Sequence, residues 1–207
     1  MTLRIWGRET STNVQKVLWL CAELGLSYER IDLGGPFGGL DDPAYRAKNP
    51  NGLIPTIEDN GFILWESHAI LRYLAADHPQ SGLMPDDRHA RAIMDQWLDW
   101  QMVALGLALR DLFMKLHRPG AVAPTVEEIA AAADYAASKF LIVEGRLAQS
   151  PYVAGDAFSL ADIAVGISVH RWLKLAVDRP VVPAILAWYD RVSRRDAFGK
   201  IATIPLK

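Results

Sequence analysis

The sequence predicts a small α/β domain followed by an all-helical domain, and three observations carry that expectation. Residues 1–78 mix a period of two with a period near 3.6, the mark of short strands alternating with helices. Beyond residue 80 the helical period alone persists. Between them lies "PQSGLMPDD" (79–87), whose two prolines, glycine and acidic residues read as a linker. The expected division is therefore 1–78, a linker at 79–86, and 87–207.

"LRIW" (3–6) reads as a short strand, and 13–24 as a helix with Val14, Val17, Leu18 and Cys21 on one face. Gly25 stands where a helix commonly ends. "YERIDL" (28–33) alternates like a half-buried strand, so the first three elements form a β-α-β crossover with parallel pairing. "GGPFGGLDDP" (34–43) is a glycine-rich loop. It follows the second strand instead of opening the first helix, so it is no dinucleotide-binding fingerprint. "IPTIEDNGFILW" (54–65) holds two apolar runs around Asn60-Gly61, a hairpin signal. "ESHAILRYLAADHP" (66–79) is a helix with Ile70, Leu71 and Leu74 as its apolar stripe, stopped by Pro79. Four helices follow, at about 87–117, 126–149, 159–177 and 182–196. Within them, Ser159 and Asp162 of "SLAD" read as a capping box serving the fold. "RVSRRD" (191–196) reads as a solvated helix face or tail.

Composition excludes several functions. Half of the 207 residues are apolar and seven are Trp, as in a folded globular protein. The formal net charge is -2; residues 1–78 carry 7 Lys/Arg against 10 Asp/Glu, net -3. Neither half has the basic excess that nucleic acid requires. No apolar run has the length of a membrane span, and the first ten residues show no secretory leader. Cys21 is the only cysteine, so an internal disulfide is impossible and a reducing cytoplasm is the expected location. The five histidines show no ligand-like spacing, so no metal site is expected.

The order β-α-β, loop, β-β-α is the outline of a thioredoxin-like domain with a mixed four-stranded sheet. In a redox version, paired cysteines occupy the turn into the first helix. Here residues Ser11 to Val14 contain none, and Cys21 lies two turns in, on the apolar face. Any sulfur chemistry must use a borrowed thiol. Two further places fit one. A cis bond before Pro55 would turn the Ile54 backbone toward an extended peptide. Glu66 suits an α-amino group, and Ser67 at a helix N-terminus suits a carboxylate. An amine and a carboxylate on one carbon form the γ-glutamyl end of glutathione.

The motifs "STNVQKVLW", "NPNGLIPTI", "LWESHAILRYLA" and "FSLADIAV", in this order across nearly the whole chain, resemble those of cytosolic glutathione S-transferases of the bacterial theta-like or nu-like kind. The resemblance implies a thioredoxin-like domain, a helical domain, and glutathione as co-substrate without a tightly bound cofactor. It implies a thiolate contact from Ser11, Asn13 or Thr10, and glutathione contacts from Ser11, Asn13, Ile54, Pro55, Glu66 and Ser67. It places a pocket for a small hydrophobic electrophile along the first long helix, with Gln101 and Leu105 as candidates and Trp172 as a further wall. It also implies a detoxifying homodimer. Leu53 stands where many relatives carry a polar or basic residue, so that contact is not expected here.

A thiol of pKa about 8.5 is only ~3% ionised at pH 7, and lowering it to about 6.5 takes ~2.7 kcal/mol. A hydroxyl donating to an anion supplies about 1.5–3 kcal/mol and a helix N-terminus roughly 0.3–1. The turn thus needs no general base, and its polar residues serve as helix cap and reaction site together. Three functions stay open: conjugation of an electrophile, glutathione-dependent disulfide reduction, and non-catalytic binding of glutathione or hydrophobic ligands.

Overall fold

The computed structural model describes residues 3–118 and 120–205. In chain order its elements are β1 (Leu3–Trp6), α1 (Thr12–Leu24), β2 (Tyr28–Ile31), α2 (Pro43–Arg46), β3 (Thr56–Asp59), β4 (Phe62–Trp65) and α3 (Ser67–Ala76). Then come α4 (Arg88–Trp100), a π-helical turn (Gln101–Leu105), α5 (Gly106–His117), α6 (Val126–Leu147), α7 (Leu160–Lys174), α8 (Pro183–Ser193) and α9 (Asp196–Ala202). They divide into two compact units, cut between Met84 and Pro85 and again between Arg194 and Arg195.

The first unit is built on a sheet of order β2-β1-β3-β4. β1 pairs parallel with β2 and antiparallel with β3, and β4 pairs antiparallel with β3. Asn60 and Gly61 join β3 to β4 with φ of 49° and 90°, the positive pair that a tight hairpin requires. Gly25 ends α1 at φ 67°. α1 buries every residue from Val14 to Cys21, including Gln15 and Lys16, because α3 and α9 pack on it as well. The short α2 begins where the expected glycine-rich loop ends; Asp42 caps it by accepting from the Ala44 amide at 2.8 Å.

The C-terminal segment corrects the expected boundaries. Arg195–Pro205 belongs to the first unit instead of the helical one. Arg195 donates to both carboxylate oxygens of Glu23 on α1, at 2.8 and 2.6 Å, and Trp19 packs against Phe198 with ring centroids 4.7 Å apart and the rings tilted by 59°. "RVSRRD" is therefore no mere solvated tail: its Arg195 is a clasp.

The second unit is a helical bundle. Asp87 caps α4 through the His89 and Ala90 amides, and Thr125 and Glu128 cap α6 reciprocally. α8 starts after an apolar residue, Val182, and its first free amides go instead to Glu144 of α6, at 2.9 and 2.8 Å. Asp162 is fully buried and accepts from the Val153 and Ser159 amides, the Ser159 hydroxyl and the Trp188 indole.

The expected single helix at 87–117 is broken in register by the π turn. The Gly106 amide reaches back five residues to the Gln101 carbonyl, and a Cβ at Gly106 would lie 2.8 Å from that oxygen. Only a glycine fits this approach.

Candidate functional site

The turn into α1 is tied down on both sides. The Gly7 amide donates to Ile31 and the Arg8 amide to Leu33, and the Ser11 amide closes onto the Arg8 carbonyl at 3.2 Å. Gly7 has φ 146°, and a Cβ there would meet Val14 at 2.5 Å and Ile54 at 3.1 Å. The end of β1, the start of α1 and the loop before β3 thus converge where only glycine has room.

Ser11 is the N-cap of α1, with extended backbone (φ −78°, ψ 125°), and its carbonyl accepts from Gln15. Its side chain makes no capping hydrogen bond. The position is a cap, but the hydroxyl is not used as one, which departs from the double role expected. Ser11, Thr10 and Asn13 are all half-buried. The hydroxyl and the first amides of α1 together form a donor set suited to an anion.

The Ile54–Pro55 peptide bond is cis. The loop before it is held by Asn49, whose amide donates to the Leu53 carbonyl at 2.9 Å and to the Thr56 hydroxyl at 3.1 Å. The Tyr45 hydroxyl binds the same carbonyl at 2.5 Å. This explains the polar residues of "NPNGLIPT": they brace the loop, while the Leu53 side chain is exposed.

Glu66 and Ser67 open α3. Glu66 has φ 72°, a left-handed conformation that costs a non-glycine residue of order 1–3 kcal/mol and is retained where the surroundings enforce it. Its side chain makes no capping bond. The Ser67 hydroxyl is buried without a hydrogen-bond partner. Leaving such a group unpaired costs about 1–3 kcal/mol, so it is a donor waiting for an acceptor.

One pair was not legible in advance. Lys16 on α1 and His68, the residue after Ser67, are both buried, with Nζ 3.0 Å from Nε2. Burial pulls the Lys16 ammonium down to about 7, against the opposing charge of Glu66. The available signal was the unbroken apolar run Val17–Ala22: a helix apolar all round is buried all round, and Lys16 adjoins it. Burial also pushes the Cys21 thiol up to about 12, so it stays protonated and unreactive.

The three residues expected to wall an electrophile pocket are enclosed in the helical unit. Gln101 donates to the Ser168 hydroxyl at 2.9 Å, Leu105 is fully buried, and Trp172 stacks flat on Phe140 at 3.9 Å. Among the described residues no group of side chains could hold a metal ion. No helix among them is long and apolar enough to cross a membrane.

Two serines at helix N-termini and a cis-proline loop thus sit on a β-α-β, β-β-α sheet, and the class of the first unit is a thioredoxin-like domain. Family models described as "Glutathione S-transferase, N-terminal domain" and "Glutathione S-transferase, C-terminal domain" match residues 6–82 and 109–196. The chain belongs to the glutathione S-transferase family. It is 36% identical to glutathione S-transferase GstB of Escherichia coli, over 99% of both chains. It is 32% identical to the disulfide-bond oxidoreductase YfcG of the same organism, covering 91% of this chain and 89% of that one. Among solved structures it is similar to a theta class glutathione S-transferase of Xanthomonas axonopodis pv. citri with glutathione bound: 40% identity, TM-score 0.93, 99% of both chains.

Proposed function

We propose that the chain is a glutathione transferase that ionises glutathione at the Ser11 turn and delivers the thiolate to a small hydrophobic electrophile. One observation carries this reading: the hydroxyls of Ser11 and Ser67, each at a helix N-terminus, make no capping bond, and the Ser67 hydroxyl is buried without a partner. In this reading Glu66 takes the α-amino group, Ser67 and the α3 N-terminus take the adjacent carboxylate, and the Ile54 backbone beside Pro55 pairs with the cysteinyl residue. Ser11 donates to the sulfur, with Asn13 and Thr10 beside it. The thiol proton leaves to solvent; the thiolate then forms a carbon–sulfur bond as halide departs with its electron pair, or adds to one carbon of an activated double bond while the other takes a proton back from solvent. No tightly bound cofactor is required. The helical unit supplies the apolar half of the reaction, and Gln101, Leu105 and Trp172 act from its core by fixing the shape of the surrounding helices. Detoxification by a cytoplasmic homodimer accords with this chemistry.

The test is a pH titration of glutathione on the protein, followed by the far-ultraviolet absorbance of the thiolate. An apparent thiol pKa of about 6.5 supports the reading. Saturable binding with an unshifted pKa replaces it with a non-catalytic binder, and no binding overturns it.

The identity with YfcG favours a second reading, glutathione-dependent disulfide reduction, since a stabilised thiolate also attacks sulfur. Comparing turnover of a small dialkyl disulfide with that of chlorodinitrobenzene separates the two.

A further inference from the structure

Glutathione binding as described leaves one buried cation without a role. Lys16 is 1% exposed, in the second turn of α1 and five residues beyond Ser11. Its Nζ meets His68 Nε2 at 3.0 Å, and His68 directly follows the Ser67 whose hydroxyl lacks a partner. A lysine this deep carries a heavy desolvation cost and is seldom kept for stability alone. When Lys16 is charged, its ammonium donates to Nε2 and so fixes the proton of the His68 ring on Nδ1.

We propose that Lys16, held by His68, is a positioning cation for the γ-glutamyl corner: it favours the carboxylate that docks at the start of α3 and takes up a proton from solvent as that carboxylate binds. This rests on the glutathione reading above. Lys16 touches no ligand atom; it acts through His68 and the first turn of α3. The titratable and charged groups on the elements packed against α1 limit what else can answer to pH. From α3 and its cap these are His68, Glu66 and Arg72; from α9 they are Lys200, Asp196 and Arg195, the last engaged by Glu23. α1 itself adds Glu23 and Cys21. Of these, Glu66 alone exerts a resolved charge effect on Lys16. Half of the lysines are already neutral near pH 7, so an arriving anion has protons to recruit there.

The experiment is calorimetric titration with S-methylglutathione, which has no ionisable thiol and carries one more carboxylate than ammonium. It is run between about pH 6 and pH 8.5, in buffers of different ionisation enthalpy. A rise of about one unit in the Lys16 pKa on binding gives a Kd that weakens about tenfold across this range, with fractional proton uptake near neutrality. Lys16→Met is expected to bind more weakly, with Kd independent of pH and no proton uptake. Lys16→Arg stays charged throughout and is expected to bind with neither pH dependence nor proton uptake. His68→Gln keeps an acceptor for Nζ and retains the uptake. Melting temperatures run alongside show that each variant is folded, and a purely structural role would not move proton uptake. Wild-type protein that binds S-methylglutathione with no Lys16-dependent uptake overturns this inference and leaves the glutathione reading intact. Wild-type protein that fails to bind it at any pH overturns both.

Discussion

Replacing Ser11 by alanine tests the reaction site against the helix cap, because the structure assigns the two roles opposite costs. The Ser11 hydroxyl makes no capping bond, so its removal should change stability by less than about 0.5 kcal/mol, against ~1 kcal/mol for a working cap. If the hydroxyl donates to the thiolate, the loss is about 1.5–3 kcal/mol of anion stabilisation, or roughly 1–2 pKa units. A thiol at about 6.5 would then titrate between about 7.6 and 8.7. At pH about 6.5 the thiolate fraction falls from about one half to between roughly 7% and 1%, while at pH about 9 the two proteins converge within a few-fold. The assay is kcat/KM for chlorodinitrobenzene across this range, with thermal unfolding of both proteins. An unmoved pH profile would refute the assignment and direct attention to Asn13 or Thr10. A drop in melting temperature equivalent to ~1 kcal/mol would show that the hydroxyl was a cap after all.

Three further predictions follow from neighbouring groups. Ser67→Ala removes a hydroxyl with no partner, so unfolding should be unchanged or slightly harder while KM for glutathione rises about tenfold. Lys16 is depressed from 10.5 to about 7 on folding, so the folded protein releases a proton that the unfolded chain keeps; stability should rise with pH from about 7 to above 10, by roughly 4 kcal/mol from this group. Denaturant unfolding of wild type and Lys16→Met at both ends of that window checks this, the variant lacking the slope. Asp162→Ala strands the Val153 and Ser159 amides, the Ser159 hydroxyl and the Trp188 indole in the core, and should cost more than about 4 kcal/mol by chemical denaturation.

Local chemistry made much of this fold readable. Asn60-Gly61 announced its hairpin, Gly25 its helix end, and the period of two its strands. The places that resisted reading are non-local. Arg195 looked solvent-facing because its partner, Glu23, lies 172 residues away in the chain. Lys16 lies off the stripe of Val14, Val17, Leu18 and Cys21, and its burial follows from α3 and α9 covering the other faces of α1. The π turn depends on one glycine meeting one carbonyl, which the apolar spacing does not register. In the candidate site, the residue types of Ser11, Glu66 and Ser67 were visible as motifs. That the two serine hydroxyls cap nothing was not, since serine before a helix usually caps it.

The clasp of Arg195 on Glu23 carries a consequence for biosynthesis. The first unit is discontinuous: α9, which covers Trp19, emerges from the ribosome only after the whole of Pro85–Arg194. Domains generally fold as they are made, N-terminal first, yet this one must wait with one flank of α1 uncovered. Folding of the helical unit meanwhile shortens the effective loop between Glu23 and Arg195, lowering the entropy of closure. Translation therefore sets the order of assembly, and the domain begun first is the one finished last.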